Sequence, residues 1–271
     1  MAEHVAIPIE KEQLASSNST NGQNASFRHQ DYSAPEGLMI HPGQIRPFEH
    51  RKFANPAPLG LSAFALTTFV LSAVNMHARG VKTPNIAVPL AFGYGGLVQL
   101  LAGMWEMAVG NTFGATALSS YGGFWISYGL LLSPGFNILD TKTGPYSANP
   151  SDVSSVVGFF LTGWFIFNTL LLLCTLKSTV MFFLLFFTLD LAFLFLACEN
   201  YAANNGAMAA KDGLQIAGGV FGMLAAFLAW YNALAGIQDS SNSFFQVPVF
   251  PLPWSDKAKA DRAAKAAAHT V

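Results

Sequence analysis

Residues 181–196 read MFFLLFFTLDLAFLFL, a run with one charge, Asp190, and with neither glycine nor proline. Taken out to 179–199, it reaches the roughly 20 residues that carry an α-helix across about 30 Å of hydrocarbon. Working outward, comparable apolar stretches lie at approximately 59–78, 86–109, 112–133, 153–176 and 214–236. Between Phe53 and Gly236, 11 of 184 residues are Asp, Glu, Lys or Arg. That is about a quarter of the share expected of a water-soluble domain, too little charge to cover a wet surface. The middle of the chain therefore belongs in lipid. Unpaired backbone groups are too costly there, and the stretches lack the period-2 alternation of a membrane barrel. The expectation is an all-α polytopic membrane protein with six transmembrane helices over 53–236.

The ends read differently. Residues 1–52 are rich in Ser, Asn, Gln, Glu and His (LASSNSTNGQNASFRHQ) and lack an apolar stretch that could act as a signal peptide. They cannot bury enough apolar surface to offset chain entropy, and predict a disordered tail. Residues 237–271 open on a proline-broken aromatic stretch, FFQVPVFPLPW, and close on KAKADRAAKAAAH, which predicts a short polar helix on a solvated tail. Six spans put both ends on one side, with the turns at 110–111 and 177–178. That side holds 8 Lys or Arg against 4 on the other, so both tails are expected to be cytoplasmic. A formal charge of −1 leaves no basic patch for nucleic acid.

The spans are too uneven for a plain anchor. In the second, Gly95, Gln99 and Gly103 share one face, with Glu106 further along it. Small residues in such a row let helices approach closely. Thr116, Ser120, Gly123 and Ser127 form a narrow polar stripe on the third. The bulky run at 181–196 suits contact with lipid or a second subunit over much of its surface. Polar groups at membrane depth are the sharper signal, because a charge at mid-bilayer costs at least about 2.5 kcal/mol and is normally turned to a cavity or a partner. They include Asn75, Gln99, Glu106, Thr116, Ser119, Ser120, Asn168, Asp190 and Asn232. Enzyme readings find no support: there is no metal-ligand spacing, no HExxH or GxSxG, and no phosphate loop. No cofactor or metal is expected. A channel or transporter for a small solute is what remains.

Three motifs narrow the reading. Asn55 to Leu61 is NPAPLGL, Gly110 to Trp125 is GNTFGATALSSYGGFW, and Thr175 to Lys177 is TLK ahead of the fifth stretch. Together they resemble the acetate uptake transporter family, which includes bacterial succinate-acetate permeases and fungal acetate and ammonia-export proteins. The resemblance spans about residues 53–236. It implies a homo-oligomer, a hexamer, of six-helix protomers in the plasma membrane. Each would pass acetate and related short monocarboxylates, in some members also succinate, with a proton or as a channel. By position it also implies a dry constriction of Phe64, Tyr121 and Leu189. The resemblance does not cover the long N-terminal tail.

A ring of two aromatics and a leucine penalises a bare carboxylate and limits solute width. Tyr121 is expected to offer its hydroxyl to a carboxylate oxygen. The substrate-side mouth is expected at Asn55, Pro56, Ala57, Pro58, Leu59, Gly60 and Leu61, with the Asn55 amide and the first-turn N–H groups attracting the anion. Thr68, Gln99, Glu106, Thr116, Ser120 and Asp190 are the candidates for a polar pathway or proton relay. Asp190, next to Leu189 on a helix, is expected to face a neighbouring helix or subunit. Ammonia or ammonium export, and an acetate sensor signalling through its tails, are the competing readings.

Overall fold

The computed structural model describes residues 53–268; the expectation for the N-terminal tail lies outside the described residues. Seven helices follow in order: α1 (Ala57–Asn75), α2 (Pro84–Ala108), α3 (Thr112–Leu132), α4 (Asp152–Cys174), α5 (Val180–Asn204), α6 (Met208–Ile237) and α7 (Asp256–Ala268). Among the described residues there is no strand, only an isolated antiparallel bridge between Thr179 and Pro251.

Five helices, α1, α2, α4, α5 and α6, are long and apolar enough to cross a membrane. The other expected span, α3, is a 21-residue helix without a charged side chain. Its Ser, Thr, Tyr and Gly residues make it less apolar than the rest. Polar residues also mislead at one connection, expected to run from Asn200 to Gly213. There α5 continues to Asn204 and α6 starts at Met208, because a polar sequence can extend a helix beyond the apolar slab. Lys211 Nζ lies 4.0 Å from Glu199 Oε1 across the joined ends.

Side-chain caps set the starts. Asn111 Oδ1 accepts from the Gly114 N–H at 3.0 Å ahead of α3, and Thr179 Oγ1 from the Phe182 N–H at 3.3 Å ahead of α5. Within α2, residues Gly93–Val98 widen to a π-helical segment, as glycine-rich stretches of a helix allow. Gly95 lies there against α1. A Cβ on it would sit 2.6 Å from Thr67 Oγ1, so only glycine permits this approach. In the exposed loop before α4, Asp140 accepts from the Thr143 hydroxyl at 2.6 Å and the Lys142 N–H at 2.7 Å, and these bonds hold its carboxyl below the usual range.

The C-terminal segment differs from a solvated tail. Val180 N–H donates to the Phe250 carbonyl at 2.8 Å, Leu252 N–H to the Ser178 carbonyl at 3.1 Å, and Trp254 Nε1 to the Leu176 carbonyl at 2.5 Å. Leu252 and Ser255 are buried as a result. The segment straps the α4–α5 turn because prolines 248, 251 and 253 favour extended backbone, which leaves peptide groups free to pair with that turn. Only α7 beyond it is polar and exposed.

A junction between two cavities

The inner faces of α1, α3 and α5 line two cavities. Ala57, Leu61 and Phe64 of α1 border the first, of about 180 Å³. Phe64, Thr68, Ser72 and Asn75 border the second, of about 190 Å³. On α3 the lining changes from Ala117, Leu118 and Tyr121 to Phe124, Trp125 and Tyr128; on α5 it changes from Leu185 and Phe186 to Ala192 and Phe193. Phe64 and Leu189 border both. Three helices thus change cavities at one level, and the side chains at that level are Phe64, Tyr121 and Leu189.

All three are packed tightly, at 5%, 3% and 5% exposure respectively. The Phe64 and Tyr121 rings are tilted with centroids 5.9 Å apart, and Tyr121 also meets Trp164 and Phe167 of α4. Leu185 lies one turn before Leu189 on the same wall, and neither it nor Phe186 was among the sequence candidates. The run at 181–196 therefore does more than meet lipid: Leu185, Phe186, Leu189 and Phe193 are buried and form the inner face of α5. Composition could not reveal this, because every face of that helix is apolar.

The Tyr121 hydroxyl is not available to a solute. It donates to Asn168 Oδ1 at 2.5 Å, and Asn168 Nδ2 donates in turn to the Phe186 carbonyl at 3.0 Å and to Asp190 Oδ1 at 2.8 Å. Thr169 Oγ1 adds a contact to the same carboxylate oxygen at 3.0 Å. Asp190 thus faces α4 and borders neither cavity.

The NPAPLGL residues split by task. Ala57 and Leu61 line the first cavity, while Pro58 is buried and Leu59 is exposed. Gly60 meets Leu118 so closely that a Cβ would lie 2.5 Å from its Cδ1. Pro58 fits over Gly236 of α6. Asn55 Oδ1 accepts from the Ala57 N–H at 3.2 Å, and Pro56 and Pro58 have no N–H, so this turn keeps few of the donors expected to attract an anion.

The remaining polar candidates separate. Gln99 borders the first cavity, fully buried, with neither amide atom in a hydrogen bond. Thr68 borders the second with its hydroxyl unpartnered. Glu106, buried at 1% exposure, accepts from Asn111 Nδ2 at 2.6 Å and borders neither. Thr116 and Ser120 border neither as well, because α3 turns Ala117, Leu118 and Tyr121 inward and leaves Thr116 exposed on its outer side. The second cavity is the more polar of the two, with Asn75, Lys82, Glu199, Asn200 and Gln215 around it.

The chain is 62% identical over 229 residues to acetate permease A of Emericella nidulans, covering 84% of this chain and 76% of that one. It is 49% identical over 231 residues to ammonia transport outward protein 2 of Saccharomyces cerevisiae, covering 85% and 78%. Among solved structures it is similar to the bacterial acetate channel SatP, with a TM-score of 0.60 and 30% identity over 73% of this chain and 99% of that one. The model of the GPR1/FUN34/yaaH family matches residues 37–254, and the chain belongs to that family.

Proposed function

We propose that the protein is a membrane transporter that passes acetate and related short monocarboxylates, with succinate as a further substrate, through a constriction of Phe64, Tyr121 and Leu189 in each protomer. The observation that carries this reading is the junction of two small cavities at apolar side chains. A solute crossing it passes a dry ring between a mostly apolar chamber that holds Gln99 and a more polar one. Such a ring selects by width and against bare charge, which suits a small acid that is neutral or briefly desolvated at the crossing. Gln99 completes the first chamber: its unpaired amide N–H groups can donate to a carboxylate that has lost water. The names of the acetate permease and acetate channel to which the chain is similar support the substrate class.

Six spans follow if α3 crosses as well, and the Lys and Arg bias then puts both termini in the cytoplasm of a plasma-membrane protein. The protomers form a homo-oligomer, a hexamer by the family resemblance; the outward polar stripe of Thr116, Ser120, Gly123 and Ser127, which suits a subunit contact better than lipid, supports the oligomer and not its number. Transport through it is proton-coupled or channel-like. A second reading, ammonia export, is favoured by the 49% identity to the yeast ammonia transport protein.

Labelled acetate and labelled methylammonium uptake by purified protein in liposomes, with and without a proton gradient, separates these readings. Saturable acetate uptake that unlabelled short acids inhibit is the expected result. Methylammonium flux without acetate flux overturns it.

A further inference from the structure

We propose that Asn168 of α4 is the positioning residue of the constriction, anchored by Asp190, and that it holds the Tyr121 hydroxyl away from the solute path. The inference rests on the constriction reading above and concerns Asn168 and Asp190, which border neither cavity.

The argument starts from the inventory of one amide. Asn168 is fully buried and has two N–H donors and one carbonyl acceptor. Both donors are committed, to the Phe186 carbonyl at 3.0 Å and to Asp190 Oδ1 at 2.8 Å, and each of those partners can only accept as bonded here. Reversing the amide would set its oxygen against two acceptors, which a buried site does not tolerate. The carbonyl is therefore forced toward Tyr121, whose hydroxyl reaches it at 2.5 Å. Asp190 and the α5 backbone thus fix a side chain of α4, which fixes a side chain of α3. The path is left with the Tyr121 ring beside Phe64 and no hydroxyl. This accounts for a costly carboxyl at mid-span without asking it to touch solute or carry a proton. If the bond is removed, the ring can turn and the hydroxyl can enter the dry region, which changes both its width and its polarity.

The test is the ratio of labelled lactate to labelled acetate uptake in proteoliposomes, at equal amounts of assembled protein. Asn168→Leu is expected to change the ratio by about fivefold, the equilibrium worth of one buried hydrogen bond. Asp190→Asn keeps a carbonyl acceptor for Asn168 and is expected to stay within about twofold of the parent, while Asp190→Leu follows Asn168→Leu. In a Tyr121→Phe background, adding Asn168→Leu is expected to change nothing further, because no hydroxyl is left to position. Leu189→Ala is the control for the constriction itself. An unchanged ratio in Asn168→Leu, while Leu189→Ala shifts it, overturns the positioning role alone. So do fully additive effects in the double variant, or lost stability at a parental ratio. An unchanged ratio in Leu189→Ala overturns the constriction reading and this inference with it. If Asn168→Leu does not assemble, the Asp190 pair decides: a shift in Asp190→Leu alone supports the role, and parental ratios in both overturn it.

Discussion

Phe64 of α1 and Leu189 of α5 are the two side chains that border both cavities. Neither can hydrogen-bond, and each is close to fully buried, so whatever passes between the cavities sheds water against hydrocarbon. Tyr121 closes the third side with its hydroxyl turned to α4. On the proposed reading the arrangement discriminates by volume, since no charged or free polar group lies at the crossing.

Shortening either shared side chain should therefore relax size selection. Leu189→Ala and Phe64→Ala are expected to raise lactate uptake relative to acetate by roughly tenfold, in line with what a few methylenes contribute to discrimination in an apolar pocket. Competition assays in liposomes read the effect. An unchanged acid-size profile in both variants, at normal amounts of assembled protein, would remove the constriction assignment.

Gln99 presents the opposite case, a polar group held in an apolar wall with no partner. Such a residue costs stability unless something else donates to or accepts from it. Gln99→Leu is expected to raise the apparent KM for acetate about tenfold and to leave the thermal midpoint in detergent unchanged or higher. A lowered midpoint with an unaltered KM would assign the amide to packing alone.

The two residues also mark what could be learned without coordinates. Spans were legible because lipid imposes length and composition on each helix separately. NPAPLGL, SSYGG and TLK supplied the resemblance that pointed to Phe64, Tyr121 and Leu189. Partnerships were not legible. Asn168 is 47 residues from Tyr121 in sequence, and nothing in either helix says that one hydroxyl faces the other amide. Thr116 and Ser120 misled for the same reason, since a polar stripe on a membrane helix fits a path or a subunit contact equally well until its neighbours are known.

Close approach at Gly95 makes a stability prediction. Thr67, which a Cβ there would meet, is fully buried and donates its hydroxyl to the Ala63 carbonyl at 2.9 Å, so it has little room to yield. Gly95→Ala is expected to cost about 1–3 kcal/mol, as overpacking does, despite the better helix propensity of alanine. Gly93→Ala, where a Cβ meets open space, should be neutral or stabilising. Paired melting curves in detergent decide the comparison, and equal midpoints would contradict the packing described.

Removal of residues 247–271 tests the C-terminal strap. Its three hydrogen bonds to the α4–α5 turn, at Phe250, Leu252 and Trp254, would be lost together. A loss of roughly 2–3 kcal/mol is expected from about 1 kcal/mol for each bond. A solvated tail would predict no change.

Glu106 carries the last prediction. It is the one carboxyl of α2 and is buried near that helix's C-terminal end, yet it borders neither cavity, and its Oε2 accepts from Asn111 Nδ2 at 2.6 Å while Asn111 Oδ1 caps α3 at Gly114. That places the side chain in the joint between α2 and α3 and not on a route between the chambers. On the proposed reading a transported acid can bring its own proton to the dry gate, and the crossing then needs no carboxyl relay. Glu106→Gln retains an acceptor for Asn111 and should keep the parental dependence of acetate uptake on external pH. Glu106→Ala and Asn111→Ala should each lower stability by about 1 kcal/mol, the usual worth of a cap, and the double variant should cost less than their sum because they share one bond. A flattened pH dependence in Glu106→Gln, with assembly intact, would make this residue a proton carrier and would require a route to it that the two cavities do not provide.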